Sequence, residues 1–126
     1  MNDQQIEQEI QAKGLTAPRV TPEDVEASIA MEYCFTDEHG VEGAMARREL
    51  WARDAAGKVF DARMGPITFC VIIMRNGHKI VGVNTGPVSN ANFDGELARK
   101  LARKNAVDQI WPLLGYDLRQ RLAAYG

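Results

Sequence analysis

Arg75-Asn76-Gly77-His78 stands between the runs ITFCVIIM (67–74) and KIVGVN (79–84), and no other feature restricts the fold of this chain as strongly. Asn-Gly readily adopts the positive φ angles of a two-residue type I′ turn, so these residues predict a β-hairpin with strands over 67–74 and 78–84. Such a loop pairs Ile73 with Ile80, Val71 with Gly82 and Phe69 with Asn84 on one face. Cys70, Ile72 and Met74 then lie on the other, alongside Val83, Val81 and Lys79. Both faces are largely apolar. One is expected to be covered by helices of the same chain, and the second by further strands, by the 34–65 segment or by another copy of the protein. A homo-oligomer is the expectation that follows.

The hairpin is followed by a helical pattern. Asn90 or Asn92 is placed to start a helix, with Asp94 and Glu96 in its first turn, where the positive end of the dipole favours acids. Phe93, Leu97 and Leu101 form one stripe, and Ala98, Ala102, Ala106 and Ile110 run beside it, small enough for close packing on a sheet. Trp111-Pro112 is expected to end or kink this helix, because proline clashes with the preceding turn. Leu113, Leu114 and Gly115 then lead into a last helix carrying Leu118 and Leu122. Upstream, Thr21 is a good cap, Pro22 a good first helical residue, and Val25, Ile29 and Tyr33 recur on one face, which predicts a helix over 22–33. Residues 3–13 predict a weaker helix ended by Gly14, with Ile6 and Ile10 as a narrow apolar stripe in a flexible segment 1–20. The 34–65 segment reads as an irregular insert, with turns at Asp37–Gly40 and Asp54–Lys58 and a short helix near Ala44–Ala52. The fold class is α+β: one domain over 1–126, with a small antiparallel sheet centred on the 67–84 hairpin and packed by the 22–33 and 92–111 helices.

With 45% hydrophobic and 25% charged residues, the 126-residue chain has an ordinary globular composition. A net charge of −2 supplies no basic field for nucleic acid and is too small for a mimic of DNA. No window approaches the roughly 18 apolar residues of a membrane span, and the polar start MNDQQIEQEIQAKG lacks signal-peptide order. A cytoplasmic setting is therefore expected, in which Cys34 and Cys70 stay reduced rather than forming a disulfide.

The chemistry-bearing residues are few. Cys34, His39, Cys70 and His78 lack the closely spaced Cys pair of a zinc knuckle, and read as a buried thiol and exposed imidazoles rather than as a metal site. Both histidines fall in predicted turns, and there is no phosphate-binding glycine loop, so neither catalytic residues nor a cofactor are expected. Arg99, Lys100, Arg103 and Lys104 share a helix face, with Arg119 and Arg121 farther on. That face is either an anion site or a solvated surface partly neutralised by Glu96. The Gly86-Pro87-Val88-Ser89-Asn90 loop leads to a helix start, and reads either as a phosphate cradle or as a plain turn with a cap. Trp111, Tyr116, Tyr33 and Phe35 could stack a base, or fill the core and lock the terminal helix.

A string of elements resembles a known family. These are Thr68 and Cys70 in an apolar strand, Asn76-Gly77, Asn92-Phe93-Asp94, and Ile110-Trp111-Pro112-Leu113 through Gly115-Tyr116 to Arg119. Thr21-Pro22-Glu23-Asp24, Glu32-Tyr33 and Phe35-Thr36 extend the likeness over most of the chain. It is similar to small accessory proteins of tailed bacteriophages named after proteins of the phages N4 and Sf6. The chain departs from that pattern at Val83–Ser89, which reads VNTGPVS where a Gly-Glu-Ser start is usual, and at Ala98, where a glycine is usual. The resemblance brings no catalytic residues. It supplies the setting, a phage protein in the host bacterial cytoplasm, but no activity; with the two-faced sheet, the basic helix and the Gly86–Asn90 loop, the expectation is an accessory protein that binds and neutralises a host factor. In its sharpest form this is a sponge for a nucleotide-derived immune signal. Arg99, Arg103 and Lys100 would then neutralise phosphates, Ser89 and Asn90 donate hydrogen bonds, and Tyr33 or Trp111 stack the base. The alternatives are an inhibitor of a host enzyme or defence effector, contacting it through 34–65, and a nucleic-acid-binding regulator, against which the modest charge argues.

Overall fold

The computed structural model describes residues 2–15, 17–50 and 65–125. In chain order the elements are α1 (Asp3–Ala12), α2 (Pro22–Ala27), β1 (Ile29–Thr36), α3 (Asp37–Ala46), β2 (Thr68–Met74), β3 (Lys79–Asn84), a 3-10 turn (Asn90–Asn92), α4 (Gly95–Asp108) and α5 (Ile110–Tyr125). The three strands form one antiparallel sheet in the order β1-β2-β3. This is the α+β architecture expected, with one strand more than the hairpin.

The added strand corrects the 22–33 helix. Its start is as read: Thr21 accepts from the Asp24 N–H, and the Asp24 carboxylate accepts from the Thr21 N–H. The helix nevertheless stops at Ala27, where Ser28 donates its hydroxyl to the Val25 carbonyl at 2.6 Å. Residues 29–36, IAMEYCFT, are rich in β-favouring side chains and pair along β2, with Cys34 opposite Cys70 and Thr36 opposite Thr68. The four-residue spacing of Val25, Ile29 and Tyr33 fits a strand's even period as well as a helical turn, and the available partner strand decides between them.

The hairpin lies where it was read, but its register is one residue away. Ile72 faces Ile80, Val71 faces Val81, Cys70 faces Gly82 and Phe69 faces Val83. The Met74 N–H donates to the His78 carbonyl at 2.8 Å, which closes a three-residue loop with Gly77 at φ 87°. Asn76 does not take positive φ. A three-residue loop with glycine in the left-handed position replaces the type I′ turn, and one step of register exchanges the partners of every side chain. Cys70, Ile72 and Met74 therefore share the inner face with Ile80 and Gly82. Phe69, Val71 and Ile73 share the outer face with Val81 and Val83.

α4 lies across the inner face, over β2 and β3. Its buried stripe is Ala98, Ala102 and Ala106, and the core is completed by Val25, Met74, Val107 and Ile110. Gly82 permits this close approach, because a Cβ there would lie 2.5 Å from the Ala106 nitrogen. The companion stripe of Phe93, Leu97 and Leu101 faces outward. α4 begins later than read, at Gly95, with the Asp94 carboxylate accepting from the Glu96 and Leu97 N–H groups.

The expected break at Trp111-Pro112 falls instead at Gln109. The Pro112 ring is incompatible with a helical carbonyl four residues earlier, so α4 ends at Asp108. Pro112 itself fits the first turn of α5, where an N–H has no intrahelical acceptor. The Gln109 side-chain amide donates to the Val81 carbonyl at 2.9 Å, and Asn105 accepts from the Val83 N–H at 3.0 Å. These two bonds occupy outward-facing backbone groups of β3.

Part of the 34–65 segment is regular. Its first residues finish β1, and Asp37–Gly40, read as a turn, opens α3 behind the Thr36 cap. Asp37 ties this helix to the sheet, since its N–H donates to the Ile67 carbonyl at 3.0 Å and its carboxylate accepts from the Ile67 N–H at 2.9 Å. The short helix read near Ala44–Ala52 is instead the end of α3, which stops at Ala46 with Arg47 as its cap and Arg48 at φ 57°. The Asp54–Lys58 turn lies outside the described residues.

Candidate functional site

α1 reaches the body of the protein through a charge as well as through the half-buried Ile10. Ile6 is exposed, whereas Glu7 is buried against Arg19, which donates to it through Nη1 and, at 2.8 Å, through Nη2. Gln11 adds a bond at 3.2 Å. The Arg19 hydrogen bonds hold the Glu7 carboxyl below its ordinary range, outweighing the opposing effect of burial. A depressed carboxylate stabilises the docked state above its unfolded pKa and loses that contribution as pH falls through the folded value. Amide protection of α1 in hydrogen exchange is therefore expected to be flat at neutral pH and to fall only in acid, beneath the ordinary carboxylate range. Glu7→Gln should remove this acid dependence and lower protection already at pH 7.

Under α1 lie two adjoining hollows that share Asp3, Pro22, Asp108 and Trp111. The smaller, of about 240 Å³, is walled by Ile6, Ile10 and Val20. The larger, of about 440 Å³, brings in Val25, Glu26, Lys100, Arg103, Lys104 and Val107. Together they form a cleft with an apolar floor, one indole and a charged rim, within the size of small-molecule sites.

The rim cations are unequal. Arg103 donates Nη2 to Glu26 at 2.8 Å and Nε to Glu32 at 2.8 Å, clamping α4 to α2 and β1. The Glu26 bond, assisted by Glu32, raises its pKa further. Lys104 holds Asp108 at 2.8 Å and Lys100 holds Glu96 at 3.2 Å, both as exposed pairs one helical turn apart. Exposed pairs of this kind are weak and screened by solvent, so both ammonium groups are exchangeable. Asp108 raises the pKa of Lys104, chiefly through its hydrogen bond, so this lysine stays charged at neutral pH.

Of the residues read as a site, Lys100, Arg103 and Trp111 meet in this cleft. The others lie elsewhere. Tyr33 projects from the outer face of the sheet, across from α4. Arg99 turns back toward Gly95. Ser89 and Asn90 are exposed at the 3-10 turn, where Ser89 makes no side-chain cap bond. Of the two readings of the loop before the helix, the turn with a cap is the one observed, since the Asp94 carboxylate takes the first free N–H groups of α4. Asp3, Pro22 and Asp108 were not read as site residues, and Lys104 was read only as part of the patch. Lys100, Lys104 and Val107 follow a row along α4, and Trp111 joins them from the first turn of α5, across the Gln109 break.

Two groups with nucleophilic or basic potential are engaged structurally. The Cys70 thiol is pushed up to about 12 by burial and by its Cys34 neighbour, so it stays protonated. His39 accepts the Thr36 N–H at 3.1 Å through Nδ1 as part of the α3 cap. Among the described residues no three His, Cys, Asp or Glu side chains cluster as metal ligands, and no helix is long and apolar enough to cross a membrane.

Residues 20–122 match the model of the Phage protein (N4 Gp49/phage Sf6 gene 66) family. No curated protein and no solved structure matches the chain.

Proposed function

Because the chain belongs to this phage-protein family, we propose that it is a non-enzymatic accessory protein that acts by binding. Its cleft beneath α1 takes an organic anion with a planar ring, a nucleotide-derived host signal, and so sequesters it. The observation that carries this reading is the convergence of Trp111, Lys100, Lys104 and Arg103 on one 440 Å³ hollow. The indole offers a stacking surface, and Lys100 and Lys104 exchange weak carboxylate partners for phosphate oxygens. Arg103 remains with Glu26 and Glu32 and shapes the wall. Asp3, Glu26 and Asp108 balance the rim cations, which favours one small anion over the dense charge of a nucleic-acid backbone. The engaged states of Cys70 and His39 support binding without turnover.

A thermal-shift series with linear and cyclic nucleotides tests this. A ligand at ~1,000 times its dissociation constant stabilises by about 4 kcal/mol. In a domain of this size the midpoint then rises by roughly 10–20 °C. Lys100→Ala/Lys104→Ala is expected to weaken that ligand by about 10–100-fold, while Arg99→Ala leaves it unchanged. Unchanged affinity in the double variant would remove the cleft assignment. The absence of a shift with any nucleotide class would remove the sponge and move the reading to an inhibitor of a host protein.

A further inference from the structure

The outer face of the sheet is apolar, and no element among the described residues packs across it. Met31, Tyr33 and Val81 are 51%, 50% and 50% exposed, and Phe35 and Val83 are exposed beside them. Phe69, Val71 and Ile73 fill the centre, with Phe35 and Phe69 stacked at 5.5 Å between centroids. Lys79, at a corner of β3, is the one charged residue in the register of this face. We propose that a second copy of this chain covers it, the two sheets packing face to face about a two-fold axis.

Three observations select this occupant. The exposed part of these side chains is on the order of 500 Å², counting about half of ~200 Å² for each exposed aromatic and less for each valine. Two copies then bury about 1,000 Å², the size at which a specific interface begins. The face also lacks a charge pattern that would select an unlike partner, whereas a patch apolar throughout is self-complementary about a two-fold axis. Finally, Asn105 and Gln109 occupy the β3 edge. The sheet therefore does not extend through that strand, and a second sheet stacked on this face would bury Val81 and Val83. Two twisted antiparallel sheets stack at ~10 Å and about −30°, the geometry of a sandwich.

This inference is independent of the cleft, which opens on the far side of the sheet. Sedimentation of the full chain from ~1 to ~200 µM tests it, with a dimer dissociating in the micromolar range as the expected result. Val81→Lys and Tyr33→Lys, on opposite edge strands, should each weaken the dimer at least tenfold while far-UV circular dichroism remains native. Leu97→Lys, on the exposed side of α4, should leave it intact. A monomeric parent protein at 200 µM overturns the proposal and gives the face to an unlike partner. A Val81→Lys protein that is folded and still dimeric also overturns it, since pairing through the β1 edge would not involve that residue.

Discussion

Gly82→Ala is expected to lower the thermal midpoint by 10 °C or more, or to abolish cooperative unfolding. Gly82 faces the Cys70 position from within the sheet, under the small-residue stripe of α4. A methyl group there would overlap the Ala102 carbonyl oxygen, lie 2.5 Å from the Ala106 nitrogen and 2.7 Å from the Ala106 Cβ. Those are mostly backbone atoms of a helix, so no rotamer change relieves the contact and α4 must lift from β3. Overpacking of a close-packed interior costs about 1–3 kcal/mol where side chains can adjust, and more where the backbone has to move. About 3 kcal/mol corresponds to roughly 10 °C in a domain of this length. Lifting α4 would also strain the Asn105 and Gln109 bonds to β3. Gly115→Ala is the control, because its Cβ would meet nothing within 4 Å. It should leave the midpoint unchanged or raise it slightly, as alanine is the better helix former.

Ile110→Ala should cost about 2–5 kcal/mol, by loss of transfer free energy and creation of a cavity. Ile110 is 0% exposed and opens α5 immediately after the Gln109 break. It plugs the end of the core beside Ala106, Val107 and Val25. A fall in the denaturant midpoint at constant m-value would report this loss. Ile110→Val keeps most of the volume and should cost no more than about 1.5 kcal/mol. Because Trp111 follows Ile110 and packs against the same core, the alanine variant should also weaken any ligand that stacks in the cleft. Valine should spare it.

The residues that were readable in advance are those whose effect is local. Thr21 caps α2 as its position implied, with Asp24 returning the bond, and Gly14, at φ 67°, ends α1. Ala98, Ala102 and Ala106 are buried as their spacing required. The turn at Asn76-Gly77 was placed correctly, yet its type was not, because Asn-Gly is compatible with a two-residue loop and with a three-residue loop ending in glycine. That choice follows from which face of β2 and β3 meets α4. Cys70, Ile72 and Met74 go inward together with Ile80 and Gly82, and only this register puts the glycine on the same face as that inward row, under the helix.

β1 was hidden for a related reason. Val25, Ile29 and Tyr33 satisfy a helical period, and only a partner strand running alongside reveals that Ile29–Thr36 is extended. The cleft was legible in part. Lys100, Arg103 and Trp111 were singled out by type, but Tyr33, Arg99, Ser89 and Asn90 were grouped with them without any means of knowing which surface each would occupy. The true neighbours of the indole include Asp3, Pro22 and Asp108, which come from three separate helices.

By itself, the sequence determined the α+β class, the position of the hairpin, the starts of α2 and α1, the close-packing stripe of α4 and the phage family. Each rests on short-range preferences of backbone and side chain, or on a pattern carried along the chain. The tertiary structure decided the hairpin register, the third strand, the break at Gln109, the neutralisation of Arg103 by Glu26 and Glu32, and the cleft beneath α1. The physical reason is that these depend on pairings between residues far apart in sequence. Such pairings, above all a shared ladder of strand hydrogen bonds, outweigh the small local preferences that any one segment expresses alone.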